Sequence, residues 1–155
     1  MKFSAREDIE APIAQVYARV TDFGAFERQI LRRGADVRRI DADRPAAPGS
    51  SWDVAFTFRG RDRRVHATVA KIQEPTDVVI DLSASGLDGV TTIALVPLSP
   101  QRTRLAVSIE LSAKTLTARL LLQSLKLAKA NLSNRFKKRV ADFAKDVEDR
   151  APKSA

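Results

Sequence analysis

The chain contains no cysteine and a single histidine, His66. Disulfides and thiolate chemistry are thereby excluded, and a reducing, cytoplasmic setting is the expectation. A zinc site would need several His, Cys or carboxylate ligands together, so no metal is expected. Alternation puts His66 on the side of its strand opposite Val65 and Val69, and no Gly-x-Ser-x-Gly elbow exists for a serine relay. The 6 glycines form neither a Gly-x-Gly-x-x-Gly nor a Walker pattern. Nothing therefore cradles a phosphate, and no cofactor is expected. No apolar run approaches the roughly 20 residues of a membrane span. The richest one, LLLQSLKLAKANL, is interrupted by Gln123, Lys126 and Lys129. The opening MKFSAREDIE lacks the apolar centre of a signal peptide. Aromatic residues make up only 6% of the chain and are scarce outside apparent core positions, which argues against stacking on single-stranded nucleic acid.

What is present fits one globular domain. The 155 residues are 44% hydrophobic and 30% charged, enough to bury a core and too apolar for disorder. The net charge of +8 is unevenly placed. Residues 1–112 carry 16 Lys and Arg against 15 Asp and Glu, whereas residues 113–155 carry 11 against 4. That basic surplus suits either a solvated helix face or contact with an anionic surface.

Periodicity divides the chain. Lys2–Glu10 alternates, with Phe3, Ala5, Glu7 and Ile9 on one side, and reads as a strand. Ala11-Pro12 ends it, and Ile13, Val16, Tyr17 and Val20 follow at helical spacing. Thr21 or Asp22 can cap a second short helix from Phe23 to about Leu31, which Gly34 ends. A short strand at Ala35–Asp41 precedes a Pro- and Gly-marked loop to Ser51. Trp52–Phe58, Arg63–Gln73, Val78–Ser83, Gly89–Leu98 and Arg104–Leu111 then read as strands joined by hairpin-length turns, which implies an antiparallel meander. Between residues 90 and 98 both alternation sets are apolar or Thr, and the inward set stays open. From about Lys114 to Asp149 there is neither Pro nor Gly, and apolar residues from Leu116 to Val147 recur mostly every three or four positions. This predicts one long helix covering the greasy face of the sheet.

The residues Ile9-Glu10-Ala11-Pro12, Val16-Tyr17 and Val20-Thr21-Asp22-Phe23 resemble the opening pattern of the START-like, or SRPBCC, superfamily. The Trp52 strand after a Pro/Gly loop and the long C-terminal helix fit the same family. The resemblance covers roughly residues 1–149 and implies an α+β helix-grip fold. In that fold a curved antiparallel sheet of about seven strands wraps a long C-terminal helix, and two short helices follow the first strand. One domain over 1–149 and a frayed tail at 150–155 are expected. The family includes hydrophobic-ligand carriers and polyketide cyclases or dehydrases, so the resemblance specifies fold better than function.

Such a fold implies a cavity between sheet and helix, and the expected function is binding of a hydrophobic small molecule or lipid there. Alternation nominates Trp52, Val54, Phe56, Phe58, Val65, Ala67, Val69, Val78, Ile80, Leu82, Leu105, Val107 and Ile109 as inward residues. Leu116, Leu120 and Leu121, with Leu125, would form the helical wall, and Phe23 and Phe26 would close one end. The same pattern also describes a filled core. Glu7 shares the inward face, where a carboxylate could meet a ligand hydroxyl, act as acid or base, or pair with an arginine at the mouth. Two alternatives stand beside the carrier: a cyclase- or dehydrase-like enzyme using Glu7, and an interaction protein using the basic helix on RNA or an anionic membrane. Nucleic acid is the less favoured of those partners. No catalytic residue is nominated beyond Glu7, and the sequence does not set the oligomeric state.

Overall fold

The computed structural model describes residues 1–41 and 43–151. Its elements run β1 (Lys2–Ile9), α1 (Ile13–Val20), α2 (Phe23–Arg32), β2 (Asp36–Arg39), β3 (Ser51–Phe58), β4 (Arg61–Gln73), β5 (Asp77–Ala84), β6 (Leu87–Ser99), β7 (Arg102–Ala113), α3 (Leu116–Leu127) and α4 (Lys129–Arg150). The strands form one seven-stranded sheet in the order β1-β7-β6-β5-β4-β3-β2. Consecutive strands from β2 to β7 are neighbours, as hairpin turns require, while β1 pairs with β7 at the far edge. The fold is therefore a helix-grip fold, with a long C-terminal helix against a curved antiparallel sheet.

Register settles which side chains face the helices. Phe3, Ala5, Glu7 and Ile9 lie opposite Ile109, Val107, Leu105 and Thr103. Leu105, Val107 and Ile109 lie in turn opposite Leu95, Ile93 and Thr91. Directly paired residues share a face, so Thr91, Ile93 and Leu95 are the inward set of the ambiguous stretch 90–98. The face continues through Val78 and Ile80, then Val69 and Ala67, to Trp52 and Val54. A register shift between Val69 and Lys71 inserts Ala70 as a bulge, where β4 bends. Ile9, Val16, Val78, Leu95, Leu105, Val140, Ala144 and Val147 make the buried core. Inside it the Thr103 hydroxyl donates to the Ala11 carbonyl at 2.8 Å, joining β7 to the turn that ends β1.

Of the two expected caps for α2, Asp22 serves: its carboxylate accepts from the Ala25 amide at 3.1 Å. The Thr21 hydroxyl donates instead to the Tyr17 carbonyl at 2.8 Å. The single helix expected from about 114 to 149 is two. Chain geometry changes at Ala128, with φ −103° and ψ 13°, and there α3 ends and α4 begins. The packing gives the reason. The start of α3 is tied to the β5–β6 turn, since the Lys114 amide donates to the Gly86 carbonyl at 2.7 Å, whereas α4 lies along β1, with Phe136 against Phe3. One straight rod does not follow both. Helix α4 continues through Arg150, and Ala151 packs against the core, so residues 150 and 151 of the expected tail are ordered parts of the fold. Residues 152–155 of that tail lie outside the described residues. No described helix is long and apolar enough to cross a membrane.

Candidate functional site

An open groove of about 620 Å³ lies between α2, α4 and the sheet. Helix α2 presents Phe26, Gln29 and Ile30 to it, and its C-cap residue Arg33 continues that face at spacings of three and four. Helix α4 presents Phe136, Arg139, Val140, Phe143 and Arg150 by the same periodicity, together with Asp142 and Asp146. Ile93, Leu105 and Val107 form the floor, and Val20 of α1 closes one side. Phe26 stacks on Phe143 with centroids 5.9 Å apart and holds the two helical walls together.

The charges at the groove divide into paired and unpaired. Asp146 pairs with Arg19 and with Arg150, the latter at 3.1 Å. The hydrogen bond from Arg19, aided by the charge of Arg150, holds the Asp146 carboxyl below the ordinary value of 3.8 against the opposing effect of burial. Asp142 pairs with Lys138 at 2.8 Å. Arg33 and Arg139 have no ion-pair partner among the described residues. The groove thus combines an apolar floor, two carboxylates already committed to cations, and two free guanidinium groups at its rim.

Of the residues nominated from the sequence, Phe26, Leu105 and Val107 line this groove. Val69 and Ile80 share the inward face further along the sheet. At the β2 side Trp52 is already occupied. Phe23 lies 5.2 Å from it, its indole N–H donates to the Glu27 carboxylate, and the Arg39 guanidinium covers the ring at 5.6 Å. Val54, Phe56, Phe58, Val65 and Ala67 are half-buried on the same face, with Arg59 and Arg63 both over the Phe58 ring. Leu121 is half-buried, whereas Leu116 and Leu120 are exposed and form no wall. Their spacing of four puts them on one helical face, but on the wrong one. At 100° per residue they sit on the side of α3 away from Ala118, the residue it buries. Glu7 keeps its place on the inward face but lies outside the groove. It borders a separate hollow of about 570 Å³ at the β1 edge with Lys2, Arg6 and Lys137. His66 is on the outer face, its Nδ1 2.7 Å from Asp53. No group of metal-ligating side chains occurs among the described residues.

Gln29, Ile30, Arg33, Ile93, Phe136, Arg139 and Phe143 line the groove without being nominated for a pocket from the sequence. For α2 the signal was available, because Phe26, Ile30 and Arg33 share one helical face. For Arg139 it was not, since a lysine- and arginine-rich helix gives no hint of which cation lacks a partner.

A curved antiparallel sheet gripping a C-terminal helix, with an apolar groove between them, defines the helix-grip class of ligand-binding and cyclase proteins. The chain belongs to the polyketide cyclase/dehydrase and lipid transport family, which matches residues 1–148. Solved structures share the fold at low identity. An aromatase/cyclase from Streptomyces superposes with a TM-score of 0.67 at 10% identity, over 97% of this chain and 94% of that one. A norcoclaurine synthase from Thalictrum flavum, solved with dopamine and hydroxybenzaldehyde, gives 0.65 at 14% over 99% and 89%. A Thermus thermophilus protein gives 0.65 at 14% over 95% and 97%. No curated protein sequence matches the chain significantly.

Proposed function

We propose that the protein binds a hydrophobic small molecule or lipid with an anionic end in the groove between α2 and α4. The observation that carries this reading is the pairing of an apolar floor, Ile93, Leu105 and Val107, with the unpartnered Arg33 and Arg139 at the rim. Apolar burial supplies about 25 cal/mol per Å², less the cost of association. A guanidinium gives a carboxylate or phosphate a strong, directional partner. Family membership agrees with a hydrophobic ligand. The absence of cysteine suits a cytoplasmic carrier.

The test uses a fatty acid and the alcohol of equal chain length, titrated against the whole chain. The acid is expected to bind more tightly. Replacing Arg33 and Arg139 by Gln should weaken the acid about tenfold and leave the alcohol unchanged. Val140→Trp, which fills the groove, should abolish both. Equal loss of both ligands in the arginine variant would sink the anionic part of the reading, and binding that survives Val140→Trp would sink the groove. The enzyme alternative needs a free titratable group at the groove. Glu7 borders the other hollow, so Glu7→Gln should leave groove binding unchanged.

A further inference from the structure

The outer face of α3 has no role in the groove, yet it is the most apolar exposed surface of any helix here. Leu116, Leu120 and Leu127 are 73%, 58% and 92% exposed. At 3.6 residues per turn they fall within about 40° of one another, so they share one face, with the exposed Gln123 between Leu120 and Leu127. The inward side of the same helix carries Ala118, Leu121, Leu122 and Leu125, which are buried or half-buried. Helix α3 is therefore greasy on two sides, only one of which the fold covers. Unpaired apolar surface of this kind marks an interaction site.

Charge identifies the partner. Arg119 and Lys126 are exposed and flank the stripe on one side by helical phase. On the other side Ser124 accepts a hydrogen bond from the Arg59 guanidinium, which brings the β3–β4 turn alongside. Arg59 is held there at a φ of 53°, a left-handed conformation that an arginine seldom adopts. The leucines thus have cations on both flanks. Residues 113–141 carry 8 Lys and Arg and no Asp or Glu.

We propose that α3 docks on an anionic lipid surface, its leucine stripe in the acyl boundary and its flanking cations at the headgroups. The alternatives fit less well. A second copy would set two such basic surfaces face to face. A nucleic acid would leave the leucines without apolar contact, and α3 has no aromatic side chain to stack on bases. The inference stands independently of the groove ligand.

The test is co-sedimentation of the full chain with phosphatidylcholine vesicles, with and without admixed phosphatidylglycerol. Binding is expected only to the anionic vesicles, weakening as salt rises. Replacing Leu116, Leu120 and Leu127 by Gln keeps helix-forming residues and should weaken binding at least about tenfold. Leu127→Gln alone, at the most exposed position, cannot disturb the core and should reduce binding in the same direction. Arg59→Gln with Arg119→Gln and Lys126→Gln should remove the preference for anionic vesicles. The proposal is overturned if neither vesicle binds, if the triple leucine variant binds like the wild type, or if a duplex RNA binds where vesicles do not. A dimer in analytical ultracentrifugation that Leu127→Gln dissociates would also overturn it.

Discussion

Phe143 meets three demands at one position. It stacks on Phe26, lies beneath the Arg19 guanidinium at 6.0 Å, and lines the groove. Phe143→Ala should therefore lower stability by about 3 kcal/mol, read from urea denaturation, and let the groove accept a bulkier ligand. Glu27 matters differently: it accepts the indole N–H of Trp52, the single tryptophan. Glu27→Ala would leave a buried donor unpaired and cost about 1–3 kcal/mol, with Trp52 fluorescence reporting the change directly. Asp146 sets a pH dependence. Its carboxyl is held below 3.8 in the folded state by Arg19, so the unfolded chain binds the proton more readily. The ion pair's stabilisation is full above about pH 5 and is lost as the pH falls through the lowered value. Asp8, held low by its hydrogen bond from Arg104, acts in the same direction. Asp146→Asn should lower stability by a constant amount at neutral and alkaline pH and flatten the acid limb, so that variant and wild type converge at low pH.

At the scale of elements, the β5–β6 turn and the start of α3 form one joint. Gly86 sits at φ 84°, and a Cβ there would lie 2.5 Å from the Thr115 hydroxyl oxygen, whose hydroxyl caps α3. Gly86→Ala should displace that cap and cost about 2 kcal/mol. Helix α3 fully buries only Ala118, whereas α4 buries Val140, Ala144 and Val147. Amide exchange should accordingly be faster in α3 than in the second half of α4. Most strands were legible because they keep a period-two alternation, but β6 offers two apolar sets over 90–98 and the Ala70 bulge resets the period in β4, so there the inward face follows from register rather than from sequence. The break at Ala128 was not legible. Its neighbours are good helix formers, and the inward residues on either side, Leu125 and Leu132, stay nearly in phase, so nothing local marks the change of direction. The groove was legible only in part, because Leu105 and Val107 are fixed by alternation while the unpaired state of Arg33 and Arg139 depends on which acids α4 brings near.

For the molecule as a whole, the uneven charge has two separate outlets. Near the groove, Lys138, Arg19 and Arg150 are used up on Asp142 and Asp146, leaving Arg33 and Arg139 for a ligand. Residues 113–141 carry no acid of their own, and among the described residues around α3 Lys114 pairs with Asp88 at 2.7 Å. Salt should therefore affect the two activities unequally, with vesicle binding falling more steeply than groove binding. The sheet order has a consequence in time. β1 is made first but finds its partner last, since the Arg104–Asp8 contact joins residues 96 positions apart. At roughly 5–20 residues per second, the first strand waits on the order of 5–20 s for β7 to leave the ribosome. Throughout that interval the β1 edge lacks its strand partner, and Phe3 waits longer still, for Phe136 of α4. Chains stalled on the ribosome before Arg102 is released should be cut by protease within β1, and chains stalled far enough beyond Ala113 to free all of β7 should resist.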